Sequence, residues 1–324
     1  MNFEQLTPDQ MLNAAEEATG TLLTGFTAQL PSYINRVYEF RTRDGTRLIA
    51  KFYRPGRWSK DAILDEHTFL QELYEAELPV IPPLKLSNGK TLGALDQIYF
   101  AIFPKKAGRQ LEINSFENWV RLGTLVARIH NIGASHPAKS RVVISPDQST
   151  RNDLDFLNKI IPSPYRSSYQ KLVNELIDLC TPLFDQNKEI RIHGDLHIGN
   201  ILNRMEEGLL IIDFDDMAMG PAVQDLWLLL PDRLEKSREE VALFIEGYEQ
   251  FRDFDSRTLR LIEPLRAMRL IYFLGWCSRQ LNDHQFRKNF PDWGTDSFWK
   301  KEINDLSEQM MFVREALERD INLR

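Results

Sequence analysis

Hydrophobic and polar positions change their period partway along the chain. In the first hundred residues the pattern is mostly alternating. "INRVYEFRTRDGTRLIAKFYRP" interleaves aromatic and β-branched residues with charged ones on both sides of "RDGT", which predicts two strands joined by a turn at Asp44-Gly45. A short helix is expected before them, because in "LTPDQMLNAAEEA" Thr7 can cap, Pro8 can take the first helical position and Gln10 can complete a capping box. Ser59 is placed to cap a second helix ending near residue 77, and "PVIPPLKLSNGKTLGALDQIYFAIFP" predicts further strands broken by Asn88-Gly89 and by prolines. From "SFENWVRLGTLVARIH" onward the spacing becomes helical: Phe116, Trp119, Val120, Gly123, Val126, Ala127 and His130 fall on one face. Helices are also expected over 165–185, 221–230, 234–253, 255–283 and 296–322, while "ILNR" and "GLLIIDF" alone read as strands in this half. The pattern predicts an α+β protein with a β-rich N-lobe over 1–104 and a mostly helical C-lobe over 105–324, joined near 103–112.

Composition narrows the function without naming it. The 324 residues are 43% hydrophobic and 27% charged, an ordinary globular balance, and the formal charge of −7 argues against a partner such as nucleic acid or an anionic membrane. Cys180 and Cys277 are too few for a disulfide framework or a zinc ribbon, so each is read as a small buried residue of a protein in a reducing cytoplasm. No Lys or Arg precedes Arg36, so the start reads as mature structure rather than as a signal or transit segment. The run "LIYFLGWC" at 270–277 falls well short of the roughly 18 apolar residues of a membrane span, and a soluble protein is expected.

Two charged residues stand where the pattern calls for apolar ones. Lys51 lies in the strand "RLIAKFYRP" among Ile49, Ala50, Phe52 and Tyr53; it is either on a solvated face or paired. On the helix after Ser59 the apolar stripe runs through Ile63, Leu70, Leu73 and Tyr74, and Glu66 projects between Leu70 and Leu73 rather than among Asp65, Glu72 and Glu75. A buried acid needs a partner, and this helix can lay Glu66 against Lys51. Phosphoryl-transfer enzymes use such a pair to hold a lysine on the α- and β-phosphates of a nucleotide.

Residues 191–204, "RIHGDLHIGNILNR", admit three readings: a metal-hydrolase cluster, a phosphoryl-transfer loop or a polar turn. His193, Asp195 and His197 lack the HExxH spacing of a metal site, and the two imidazoles are better suited to orienting the loop. In the phosphoryl-transfer reading Asp195 takes or orients the acceptor's hydroxyl proton, and Asn200, five residues on, offers a hard oxygen to magnesium. Asp213, at the end of the strand "GLLIIDFDD", would supply the second metal ligand. Several residues keep two readings: Asp216 as a positioner of the metal or a solvated loop acid, and Phe103 with Pro104 as an adenine-reading hinge or a plain linker. His130 is expected as a satisfied core histidine, and Asp225 as an acid favoured in the first turn of a helix.

With these residues in place, "HGDLHIGN" resembles the His-Gly-Asp-x-His-x-x-Asn loop of the aminoglycoside phosphotransferase and choline kinase branch of the protein-kinase-like superfamily. "YINRVYEF", "AKFYRPGRWS", "ILDEHTFLQEL", "FAIFP", "GRQLE", "IDFDDMAMGPAVQDLWLLL" and "KNFPDW" extend the likeness, over nearly the whole chain, to the bacterial stress response kinase A family. The resemblance implies a bilobal protein-kinase-like fold and a cytoplasmic, monomeric serine/threonine protein kinase of a stress response, dependent on ATP and Mg2+. It implies Asp195 as proton acceptor, Asn200 and Asp213 as magnesium ligands, Asp213 also as essential for activity, and Lys51 as the phosphate lysine with Glu66 as its partner. By the same likeness Ser32, in the loop between the first two strands, contacts ATP, and Asp225 braces the catalytic loop. The chain departs from protein kinases in lacking a G-x-G-x-x-G loop and in having "DFDD" for Asp-Phe-Gly, and the stretch Met217 to Pro221 is too short for a switch loop. Two alternatives accompany this expectation: a small-molecule kinase for an amino alcohol, sugar or aminoglycoside, and a nucleotide-binding scaffold without catalysis. The segment "WCSRQLNDHQFRKNFPDW" at 276–293, aromatic and mixed in charge, favours a protein substrate bearing Ser or Thr.

Overall fold

The computed structural model describes residues 3, 6–32, 34–205, 207–281, 283 and 286–318, apart from the side chain of residue 287. Its first helix, α1 (Pro8–Thr19), begins as its residues dictate: the Thr7 hydroxyl accepts from the Gln10 N–H, and the Gln10 side chain accepts from the Thr7 N–H. Strands β1 (Leu23–Gln29), β2 (Arg36–Thr42) and β3 (Arg47–Phe52) follow, with the β2–β3 hairpin turning at Asp44 and at Gly45, whose φ of 91° suits glycine. Helix α2 (Lys60–Glu75) starts where the Ser59 hydroxyl accepts from the Ala62 N–H. Next come β4 (Gly93–Leu95), β5 (Ile98–Pro104), β6 (Arg109–Gln110), α3 (Phe116–Gly133), α4 (Arg151–Leu157) and α5 (Ser163–Cys180). Four strands, β7 (Ile190–Ile192), β8 (Ile201–Arg204), β9 (Gly208–Ile211) and β10 (Ala218–Gly220), precede α6 (Gln224–Trp227), α7 (Arg238–Tyr248), α8 (Ile262–Ser278), α9 (Phe286–Asn289) and α10 (Asp296–Glu318).

The chain divides into two units, Met1–Ile113 with Ala138–Arg141 and His197–Met217, and Asn114–Pro137 with Val142–Leu196 and Ala218–Arg324. The first carries an antiparallel sheet in the order β1-β2-β3-β5-β4 and a smaller one in the order β6-β8-β9. Alternation on β3 sorts its side chains. Ala50 and Phe52 join Phe40, Phe100, Ile102 and Met11 in the main core, whereas Tyr53 packs on the other face with Ile63 of α2 and Ala101, and Lys51 shares the phase of Tyr53. The second unit is mostly helical. Its helices α3 and α7 approach so closely at Gly123 and Gly247 that a Cβ at either would stand 1.9 Å from a carbonyl oxygen of the facing helix.

Several expectations are corrected. The segment before β4 contains no strand from residue 79 to 92, and Tyr74, placed on the apolar stripe of α2, is 56% exposed while His67 and Phe69 are buried. The helix expected over 221–230 has four residues, and that over 255–283 is a 3-10 stretch, Ser256–Leu261, followed by α8. Strands β6, β7 and β10 and helices α4 and α9 were not anticipated: the three strands are two or three residues long, too short to display a period, and β1, implied only by the likeness that puts Ser32 between the first two strands, is an edge strand with mostly exposed side chains. The helix expected to reach 322 passes out of the described residues after 318, and Tyr33, Asn282, His284 and Gln285 of the segments quoted above also lie outside them.

Candidate active site

In the first unit three cations and four carboxylates converge. Lys51 Nζ lies 2.8 Å from Asp215 Oδ1, 3.5 Å from Asp213 Oδ1 and 3.8 Å from Glu66 Oε1. Arg57 Nη2 reaches Asp215 at 3.1 Å and Asp216 at 2.7 Å. Arg141 is fully buried and divides its guanidinium three ways: Nε donates to the Ala62 carbonyl (2.8 Å), Nη1 to the Asp215 carbonyl (2.7 Å) and Nη2 to Glu66 Oε2 (2.8 Å). Its other side lies 4.4 Å from the Trp58 ring. Asn35 Nδ2 donates to Asp215 at 3.3 Å.

These groups set one another's charge. Burial works against the Lys51 ammonium, but Asp215, Glu66 and Asp213 outweigh it and hold its pKa well above the ordinary lysine value. Burial likewise raises Asp215, yet Lys51 and Arg57 reverse the balance and its carboxyl is lowered. For Glu66 burial prevails over Lys51 and Arg141, and its pKa is raised. The neighbouring His67, between the Tyr53 hydroxyl (3.1 Å) and Thr91 Oγ1 (2.9 Å), is pushed down to about 3, first by burial and then by Lys51 and Arg141.

Asp213 differs from its neighbours. Its backbone is left-handed (φ 62°), a strained conformation for a non-glycine residue, and its side chain is 56% exposed. The Ile212 N–H donates to the Asn200 carbonyl at 3.0 Å, which sets Asn200 and Asp213 side by side at the start of β8 and the end of β9. An amide and an accessible carboxylate are hard oxygen donors of the kind magnesium takes when phosphates and water complete its shell, so the residues present fit that ion. Among the described residues no group of three or more His, Cys, Asp and Glu is arranged to hold a metal by itself. Ser32 is exposed in the β1–β2 loop, and Phe103 lies half-buried in β5, edge-on to His67 at 6.4 Å.

Asp195 belongs to the second unit. Its loop is gripped through the backbone: Asp225 accepts from the His193 N–H (2.8 Å) and the Gly194 N–H (2.9 Å), while Gln224 donates to the Gly194 carbonyl (2.9 Å). Gly194 has a φ of 81°, a turn that excludes most side chains. Asp225 also meets His130 Nε2 at 3.1 Å, and His130 Nδ1 lies 2.9 Å from the Tyr248 hydroxyl. Asp225 is buried, but hydrogen bonding and charge from His130 hold its pKa low. The Asp195 N–H donates to His193 Nδ1 at 3.3 Å, and the Asp195 carboxylate pairs with Arg269 of α8 at 2.7 Å.

The structure therefore gathers Lys51, Glu66 and Asp213, sets Asn200 beside Asp213, and places Asp195 on its own braced loop. Sequence reasoning missed Asp215, Arg57, Arg141 and Arg269. Asp215 had a signal, since two residues after Asp213 on an extended segment it falls in phase with it, where both acids can face one cation. Arg141 and Arg269 had none: the first is in an irregular segment and the second on a helix rich in arginine.

This architecture, with a lysine–glutamate pair beside a paired Asn–Asp and an Asp on a His-Gly-Asp loop, is that of a phosphotransferase. The chain belongs to the phosphotransferase enzyme family, whose model matches residues 27–262. It is 38% identical over 316 residues to Stress response kinase A of Escherichia coli (strain K12), covering 97% of this chain and 95% of that protein, which bears out the family likeness read from the motifs. It is 37% identical, over 97% of its length and 95% of the relative's, to serine/threonine protein kinase RdoA of Salmonella typhimurium (strain LT2). Among solved structures it shares its fold with amicoumacin kinase hAmiN (TM-score 0.74, 20% identity, 93% of this chain and 94% of that one). A microcompartment-associated aminopropanol kinase has the same fold (TM-score 0.67, 16% identity, 92% and 94%). The bilobal kinase-like fold expected from the sequence, β-rich then helical, is the one observed. No helix among the described residues is long and apolar enough to cross a membrane.

Proposed function

We propose that the protein is an ATP- and Mg2+-dependent kinase that phosphorylates Ser or Thr hydroxyls of proteins, acting as a cytoplasmic monomer in a bacterial stress response. The observation that carries the phosphotransferase reading is the buried Lys51 ammonium, kept charged by three carboxylates of which one, Asp213, remains accessible. The protein-acceptor reading is supported by the full-length likeness to a relative named a serine/threonine protein kinase. When bound, ATP supplies the phosphoryl group and magnesium neutralises phosphate charge. Residues 1–104 serve the nucleotide, and 105–324 carry the catalytic loop and the acceptor site. Lys51, oriented by Glu66, holds phosphate oxygens; Asn200 and Asp213 hold the metal; Ser32 and Phe103 contact the nucleotide. Asp195 orients the acceptor hydroxyl and takes its proton, and the Asp225 brace fixes the loop so that no reorganisation is needed at the moment of transfer. A second reading, a small-molecule acceptor, is favoured by the amicoumacin and aminopropanol for which two kinases of the same fold are named. Incubation with γ-labelled ATP separates the two: label in Ser or Thr of a generic protein is expected, and label found only in amino alcohols, sugars or aminoglycosides would overturn the protein reading.

A further inference from the structure

Helix α8 is almost wholly buried, with Ile262, Leu265, Met268, Ile271, Leu274 and Cys277 facing inward. Besides Leu270 and Tyr272, the residues it leaves half-buried or exposed form one stripe: Arg266, Arg269, Phe273 and Trp276 fall within about 80° of one another at 100° per residue. The two ends of the stripe differ in chemistry. Arg269 is paired with Asp195 at 2.7 Å, and the Arg266 guanidinium lies 4.9 Å from the ring of Trp227, whose indole donates to Gln224, the residue that holds Gly194. Farther along, Phe273 is 50% exposed, with Trp276 stacked on it at 5.7 Å and an interplanar angle of 17°. The sole acid of the helix, Glu263, is buried and engaged by Arg233, by Gln309 and, at 3.8 Å, by Arg266, so the charge the stripe presents beside Asp195 is that of Arg269.

We infer that this stripe is the acceptor-docking face, and that it selects an extended peptide with an acidic residue beside the phosphorylated Ser or Thr and an apolar side chain two or three residues away. The inference rests on the protein-kinase reading and narrows it. Arg269 pairs with Asp195 through Nη2, and its guanidinium carries further N–H donors that can take a carboxylate next to the acceptor hydroxyl. Phe273 and Trp276 lie about 6 and 10 Å farther along the helix axis, which an extended chain spans in two to three residues. A cationic acceptor would meet Arg269 beside Asp195, which disfavours a polyamine sugar there.

Peptide phosphorylation by the full-length chain tests this. The probes are a serine peptide with glutamate beside the serine and leucine at the third residue beyond it, the same peptide with lysine for glutamate, and the same with alanine for leucine. The acidic, apolar peptide is expected to exceed each of the others by about tenfold in kcat/KM. Phe273→Asp, at an exposed position outside the catalytic machinery, is expected to raise the peptide KM by about tenfold while leaving basal ATP hydrolysis unchanged. Equal rates for all three peptides, a preference for lysine, or an unaltered KM in Phe273→Asp overturns the inference alone. Label in no peptide, with transfer only to small molecules, overturns the protein-kinase reading with it.

Discussion

The two groups of residues proposed to carry out transfer are held by different forces. Around Lys51, charge is held by charge: Glu66, Asp213, Asp215 and Asp216 face Lys51, Arg57 and Arg141, and the ionisation of Lys51, Glu66 and Asp215 depends on their neighbours. Around Asp195, a loop is held by its backbone, with one buried carboxylate, Asp225, taking two successive N–H groups. The contrast matches the roles proposed for each group. A cation that is to hold phosphates needs an environment that keeps it charged before they arrive, whereas a residue that is to align a hydroxyl needs a fixed position. The carboxylates near Lys51 have a second use, since Asp213 stands out from the cluster, strained and half-exposed, where a ligand can reach it.

The sharpest way to break the contrast is Asp195→Asn. If Asp195 acts by chemistry rather than by support, transfer falls by about a thousandfold while ATP binding and folding stability stay near wild type. Its ion pair with Arg269 is partly exposed and contributes little to stability. Kinetics with γ-labelled ATP, beside calorimetric ATP binding, measure both; equal turnover in variant and wild type would remove Asp195 from the mechanism.

Arg141→Met tests the charge-held half. It strips Glu66 of its closer cation and leaves Lys51 at 3.8 Å to balance a buried acid alone. A loss of about 3–5 kcal/mol in urea denaturation is expected, with a higher KM for ATP. Stability within 1 kcal/mol of wild type would show that the cluster's members are independent. Asp225→Asn tests the backbone-held half. One amide N–H then faces the backbone N–H groups of His193 or Gly194, and a loss of about 2–3 kcal/mol is expected by the same measurement.

How much of this was legible beforehand follows the same division. Lys51 and Glu66 stood out because each broke a hydrophobic period, and Asp195 and Asn200 because a five-residue spacing has chemical meaning. The large helices and the β2–β3 hairpin were legible from caps, turn residues and long repeats. What stayed hidden depends on tertiary contact. Arg141 pairs with an acid 75 residues away in a segment without regular structure, and Arg269 pairs with one 74 residues away, from a stretch that holds two other arginines, Arg260 and Arg266, and one glutamate between 260 and 269. The short strands β7 and β10 exist because they pair with each other and because β10 also bridges to Val143. Periodicity records which face a residue turns inward, not which distant partner waits there.

The smallest effect sharpens the comparison by pH. His67 is neutral in the fold, lowered to about 3 by burial and by the cations Lys51 and Arg141, against about 6.5 in an unfolded chain. Between these values the unfolded state binds the extra proton, so stability from this group is full above pH 6.5 and is lost as pH falls toward 3. At pH 5 the loss relative to pH 7 is about 2 kcal/mol. His67→Gln, which retains hydrogen-bonding capacity toward Tyr53 and Thr91, is expected to abolish that part of the slope in urea denaturation at pH 5 and pH 7. In Arg141→Met one of the two cations opposing protonation is gone, so the slope attributable to His67 should begin at the same pH and end at a higher one. An unchanged slope in His67→Gln would mean that the charge cluster does not reach this imidazole, and that the two halves of the apparatus differ less than their geometry indicates.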